Sequence, residues 1–84
     1  MYQYEFKPQA VRDLKKLPQN IQKKIIDKLE YFLSSSKPLS FADALINREI
    51  GQYRFRISDY RVIFDVDGEK IIILTIGHRK EIYK

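Results

Sequence analysis

The sequence predicts an α+β fold, β-αα-βββ, in which a helical hairpin packs on a twisted, mainly antiparallel sheet. Three observations carry this. Ile21, Ile25, Leu29 and Phe32 recur every three or four residues, the period of an amphipathic helix. Residues 53–76 hold three short runs rich in Tyr, Phe, Ile and Val. Turn-forming pairs, Ser58-Asp59 and Asp67-Gly68, separate those runs.

Tyr2, Tyr4 and Phe6 alternate with Gln3 and Glu5, as in a half-buried opening strand. Pro8 suits the first turn of a helix whose apolar side is Val11, Leu14 and Leu17, with Arg12, Asp13, Lys15 and Lys16 mostly outward. Pro18 ends that helix and opens the second, so the two form a hairpin. Residues 34–38 are a loop by composition. Residues 40–46 are expected to form a short helical turn capped by Ser40, with Gly51 as a bend before the strands.

The first β-hairpin pairs Ile57 with Tyr60, Arg56 with Arg61 and Phe55 with Val62. In the second, an Asp67-Gly68 turn pairs Val66 with Glu69, Phe64 with Ile71 and Val62 with Ile73. Residues 71–76 are apolar except for Thr75, the composition of a central strand covered on both faces. Phe55, Ile57, Val62, Phe64, Val66, Ile71 and Ile73 make the face that receives the helices. Gly77 permits a bulge. Without one, His78 shares the face of the arginines; with one, Arg79 joins Arg61 instead.

At 84 residues the chain suits a single domain spanning residues 1–84. It has no cysteine and one histidine, which excludes disulfide frameworks and thiolate or His-rich metal sites and fits a reducing, cytoplasmic setting. No apolar stretch is long enough to suggest a leader or a membrane span, and no cofactor motif is present. The net charge of +5, from 16 Lys and Arg against 11 Asp and Glu, admits nucleic acid or an acidic protein as partner.

Because side chains alternate across a strand, Arg54, Arg56 and Arg61 project from one face. Like charges directly opposite one another are unfavourable, so this face is expected to meet an anion. Guanidinium forks suit a phosphodiester. The alternative is a set of solvated charges neutralised by Asp59, Asp65 or Glu81. Arg79, Tyr83, His78 and Glu81 sit at the end of the last strand beside Arg61. Tyr83 can stack on a base or simply close a core edge. Lys15, Lys16, Lys23, Lys24 and Lys28 can touch a nucleic-acid backbone or serve as the wet side of two helices.

The motif G-x-Y-R-x-R-x-x-D-Y-R-V-I-F at Gly51–Phe64, followed by G-H-R-K-E-I-Y at Gly77–Tyr83, resembles the RelE/ParE superfamily of toxin–antitoxin toxins. The helical segments AVRDLKKLP and IQKKIIDKLEYFL extend the resemblance over essentially the whole chain. Resemblance to the RelE branch implies an endonuclease that cuts messenger RNA in the ribosomal decoding site without a metal. There the 2′-hydroxyl attacks the adjacent phosphate, leaving a 2′,3′-cyclic phosphate and a 5′-hydroxyl.

By position, Arg54 and Arg56 stand where relatives often carry lysines, and Arg61 matches the arginine that stabilises charge on the phosphate. Arg79 resembles the residue placed to protonate the leaving oxygen, and Tyr83 the tyrosine that orients substrate. Arginine does not readily lose its proton, so Tyr83, His78, Glu81 or ribosomal RNA are the candidates for the base.

The resemblance also implies a cognate antitoxin, a small protein with an acidic or amphipathic wrapping segment, and a heterotetramer is one possible assembly. Two other functions fit the same scaffold: a ParE-like protein that poisons DNA gyrase by contact alone, and a decayed relative that binds antitoxin and cleaves nothing.

Overall fold

The computed structural model describes residues 2–83; Met1 and Lys84, the ends of the expected domain, lie outside them. In chain order the elements are β1 (Gln3–Phe6), α1 (Pro8–Lys15), α2 (Gln19–Ser34), a 3₁₀ turn (Pro38–Phe41), β2 (Ala42–Ala44), β3 (Tyr53–Ile57), β4 (Tyr60–Asp67) and β5 (Lys70–His78). The five strands lie in the order β1-β5-β4-β3-β2, with β1 parallel to β5 and the other pairs antiparallel. The α+β expectation holds, with one more strand than the sequence suggested.

Alternation sorts the sheet into two faces. Phe55, Ile57, Val62, Phe64, Ile71, Ile73 and Ile76 are buried in one cluster with Ala10 of α1 and Ile25, Leu29, Phe32 and Leu33 of α2. Rings stack through its centre: Phe55 lies 4.4 Å from Phe64 and 4.7 Å from Phe32, centroid to centroid. Each aromatic of this kind removes roughly 150–250 Å² from water, which makes the helix-covered face the main source of stability.

Pro8 opens α1 at once after β1, leaving β5 longer than its parallel partner. Lys7 N–H donates to the Ile73 carbonyl at 2.9 Å as the last rung of that ladder. Beyond it the Asp13 carboxylate takes over, accepting from the Ile76 N–H at 3.0 Å and the Thr75 hydroxyl at 2.6 Å. Asp13 is therefore turned inward, not outward as its place in the helix suggested. Partial burial opposes its charge. The hydrogen bonds from Thr75, Ile76 and Gln9, with Lys16 nearby, outweigh burial and hold its carboxyl below the ordinary value near 3.8.

Three other expectations need correction. The helical turn spans residues 38–41, not 40–46, because Pro38 at its first position starts it early; Ser40 donates its hydroxyl to the Lys37 carbonyl and caps nothing. Residues 42–44 form edge strand β2 instead. In the second hairpin Asp67 pairs with Lys70, Val66 with Ile71 and Phe64 with Ile73, a slip of two residues. Only Gly68 has positive φ (61°) in this turn, so the glycine is the first of two central residues and the turn cannot be type I′. A slip of two keeps every side chain on its face.

The first hairpin has the expected register. Its turn holds Ser58 at φ 57°, the only non-glycine with positive φ among the described residues. No described helix is long and apolar enough to cross a membrane.

Candidate functional site

The face of the sheet turned away from the helices carries the arginines. Arg56 lies directly across from Arg61, and Arg54 pairs with Ile63, so all three leave the same side. Their mutual repulsion is relieved by divergence. Arg61 swings to the β3–β4 turn and donates to the Ser58 and Tyr60 carbonyls at 3.1 and 2.9 Å. Arg54 and Arg56 turn the other way and share one carboxylate, that of Asp43, at 3.2 and 3.1 Å.

Asp43 is on this face because β2 pairs with β3, placing Asp43 opposite Arg54. Two fixed cations against one anion leave a surplus charge. Partly exposed ion pairs of this kind contribute only about 0–1 kcal/mol, so they yield readily to a better anion.

Strand β5 does carry a bulge, but not at Gly77, where the sequence left the question open. Ile63 pairs with Thr75 while Phe64 pairs with Ile73, so Leu74 is the extra residue and Gly77 is regularly paired with Arg61. The bulge reverses the parity of residues 75–78. His78 pairs with Tyr60 and meets its ring edge-on at 5.4 Å, on the helix-covered side. His78 is thus turned away from the arginines.

After His78 the chain doubles back in a tight turn, with the Glu81 and Ile82 N–H groups both donating to the His78 carbonyl. Ile82 then lies over Gly77, where an added Cβ would stand 3.3 Å from its Cδ1. Glu81 is exposed in this turn. Tyr83 reaches Arg54, accepting from the guanidinium at 2.8 Å, with the ring 5.8 Å from the guanidinium carbon. Arg79 closes on the β3–β4 turn from the other side, its N–H on the Asp59 carbonyl at 2.8 Å and its guanidinium 3.6 Å from the Asp59 carboxylate. Arg61 and Arg79 therefore converge on residues 58–60.

Ile63, although on the arginine face, is fully buried. Gly51 presses against it: a Cβ there would stand 2.5 Å from Ile63 Cγ2 and 3.1 Å from Leu74 Cδ1, and φ is 154°. Only glycine fits, and its loop roofs this small second core. The arginine patch is a rim around apolar residues, not an open charged plain.

Among these groups Arg54 is the one held unusually firmly in its charged form. The hydrogen bond to Tyr83 does most of this; burial opposes it, and Asp43 adds to it. It can hold an anion and cannot serve as a base.

The lysines are elsewhere. All five are exposed on the helix side of the sheet. Lys23 pairs with Asp27 at 2.9 Å, and Lys28 lies over the Tyr31 ring at 5.6 Å. Lys24 alone approaches the arginines, donating to the Ser58 hydroxyl at 3.1 Å beside the carbonyl that Arg61 holds. Sequence reasoning misses Asp43, because a helical turn over residues 40–46 leaves it no strand partner. Its signal is the alternation Ala42-Asp43-Ala44.

A family model described as the ParE toxin of type II toxin–antitoxin systems (parDE) matches residues 4–83. Toxin RelG of Mycobacterium tuberculosis is 31% identical over 85 residues, covering 99% of this chain and 97% of that protein. Toxin RelE3 of Methanocaldococcus jannaschii is 35% identical over 75 residues, 87% and 85% of the two chains.

The chain belongs to the RelE/ParE family of toxins.

Solved structures agree with this placement. The RelE/ParE toxin resembles a chain of the RelBE2 toxin–antitoxin complex of M. tuberculosis at a TM-score of 0.76 and 29% identity, covering 93% of this chain and 98% of that one. It resembles a chain of the RelB–RelE antitoxin–toxin complex from Methanococcus jannaschii at 0.70 and 33%, covering 93% of each. The isolated RelE toxin of E. coli, at 0.72 and 22% identity over 99% and 92%, shares the fold.

Proposed function

We propose that this toxin is a ribosome-dependent messenger-RNA endonuclease that stops translation and is held inactive by a cognate antitoxin. The observation that carries the reading is that Arg54, Arg56 and Arg61 leave one sheet face, with Tyr83 bonded to Arg54 at its border. Permanent cations on one face suit a phosphate gathering charge as it becomes five-coordinate, once their exchangeable contacts with Asp43 and the turn carbonyls give way to it.

In this reading Arg54 and Arg56 grip the scissile phosphate, displacing Asp43. Asp43 is the carboxylate already in contact with both forks. Once released it accepts the 2′-hydroxyl proton, which no arginine can take. The 2′-oxygen forms a bond to phosphorus as the bond to the 5′-oxygen breaks, giving the cyclic phosphate. Arg61 stabilises the charge on the phosphate. Arg79, permanently charged, supports the leaving 5′-oxygen electrostatically while water supplies its proton. Tyr83 orients the substrate. Lys24, next to the Arg61 turn, is the lysine placed to touch a neighbouring backbone.

The antitoxin partner is supported by the relatives of known structure, two of which were solved in complex with one. A gyrase poison is the second reading, favoured by the ParE description of the matching family model.

One experiment separates the two. The chain is induced without antitoxin, and 5′ ends of cellular RNA are mapped with translation running and blocked. Cuts inside translated codons that vanish when translation is blocked are expected. Intact messages with accumulating double-strand DNA breaks would defeat the nuclease reading and favour gyrase.

A further inference from the structure

Strand β5 changes phase part-way along, and α1 supplies the group that meets it there. Along a strand, the backbone polar groups of successive residues point to alternate edges. The Ile73 carbonyl faces β1, where the Lys7 N–H donates to it at 2.9 Å. Unbroken alternation would turn residue 75 towards that edge and residue 76 towards β4. The reverse is found. Leu74 is an extra residue, and the Ile76 N–H leaves by the β1 edge to meet Asp13.

That N–H emerges beyond the end of β1 at Phe6, so no strand residue stands ready to receive it. One oxygen of Asp13 accepts it at 3.0 Å, and the same oxygen takes the Thr75 hydroxyl at 2.6 Å. The other oxygen accepts from the Gln9 amide at 2.7 Å, one turn earlier in α1, which fixes the carboxylate's orientation. Both strand donors follow directly on the bulge. In an unbulged strand the Ile76 N–H would face β4, and its bond to Asp13 could not form.

The phase also decides where Arg79 goes. Past the bulge Gly77 pairs with Arg61, and two residues on the Arg79 N–H donates to the Asp59 carbonyl at 2.8 Å. That rung sets the Arg79 guanidinium 3.6 Å from the Asp59 carboxylate, at the turn Arg61 also holds. In the other phase the N–H of residue 79 would face the opposite edge.

We propose that Asp13 is a positioning residue for the candidate site: by engaging Thr75 and Ile76 it holds β5 in the bulged phase and so sets Arg79 beside Arg61. The control of phase stands on the strand geometry alone, while its effect on cleavage rests on the RNA reading above. Ile76, buried in the core, favours the same phase. Loss of Asp13 should therefore loosen the end of β5 without dissolving the fold.

The test compares two cross-strand contacts in the full chain by NMR. Ile73 and Ile76 both turn their polar groups away from β4, so each meets its partner as the close, non-hydrogen-bonded kind of pair. Phe64–Ile73 lies before the bulge and Val62–Ile76 after it. In Asp13→Ala the Hα–Hα contact of Val62 with Ile76 should be lost while that of Phe64 with Ile73 stays. Asp13→Asn keeps an oxygen for the Ile76 N–H and should retain both. Two intact contacts in Asp13→Ala, or the same loss in Asp13→Asn, would overturn the proposal. If Asp13→Ala does not fold, hydrogen exchange in Asp13→Asn decides. The Gly77 amide should then exchange about fivefold faster, the effect of one weakened hydrogen bond, with Ile72 unchanged. Equal acceleration of the two amides would overturn the proposal.

On programmed ribosomes Asp13→Ala should lower kcat about 100-fold with little change in KM, as misplacement of a group at the site does. It should add nothing in a chain already carrying Arg79→Ala, and additive losses would sink the route through Arg79. A lost Val62–Ile76 contact beside a wild type that cuts no RNA would sink the nuclease reading alone. An intact contact beside a wild type that cuts would sink only the role of Asp13.

Discussion

Strand β3 presents two proteins in one. Tyr53, Phe55 and Ile57 point into stacked rings beneath the helices, while Arg54 and Arg56 point into a patch where two cations share one carboxylate. The helix-covered face hides apolar surface and owes little to any single polar bond. The arginine face keeps its apolar residues to a small roofed centre, Ile63 under Gly51, and its polar contacts are exchangeable. The difference teaches that core packing and surface charge reside on alternate residues of the same strands, so substitutions one position apart should separate stability from the activity proposed above.

The sharpest break in that comparison comes from Phe55→Ala. Removing a fully buried ring from the stack should cost about 3–5 kcal/mol, measured by urea denaturation. Next is Arg61→Ala, expected to lower RNA cleavage about 100-fold or more, the effect of losing one fixed charge-stabilising donor. Its stability to urea should change by about 1 kcal/mol or less, because only two bonds to turn carbonyls are lost. A loss of activity that merely tracks unfolding would erase the distinction between the faces.

Gly51→Ala probes the roof over the arginine face. Its Cβ collides with Ile63 and Leu74, and a cost of about 1–3 kcal/mol is expected from the same denaturation measurement. The smallest effect belongs to Asp13→Asn, about 1 kcal/mol at neutral pH, since the amide oxygen still accepts one bond. Asp13 has a folded-state value below its ordinary one. Its contribution is thus complete above pH 3.8 and disappears as the pH falls through the lower folded-state value. Acid titration of unfolding should therefore bring wild type and variant together at the low end. Curves that stay parallel would show that the charge of Asp13 adds nothing.

How much is legible in the sequence depends on the range of the forces involved. Local periodicity places both helices, and the Ser58-Asp59 turn sets the register that puts Arg56 opposite Arg61. Parity carries the core residues through a two-residue slip at Gly68 untouched. The misses are non-local. Leu74 is extra only because of how β4 and β5 pair beyond the bulge, and the glycine at 77 points three residues too far along. β2 looks helical in sequence because three residues are too few for alternation to compete with helix-forming alanines. With it goes Asp43, the partner of two arginines in the candidate site. The turn that brings Tyr83 to Arg54 depends on Ile82 settling over Gly77, a contact no local pattern announces.

The carboxylate shared by Arg54 and Arg56 has one more effect. On the nuclease reading, two guanidinium groups and the carboxylate they share offer a phosphate less net charge than two free arginines, so fewer counterions leave the RNA than the number of guanidinium groups implies. Affinity for RNA should accordingly decline less steeply with added salt than the arginine content suggests, and replacing Asp43 by Asn should steepen that decline.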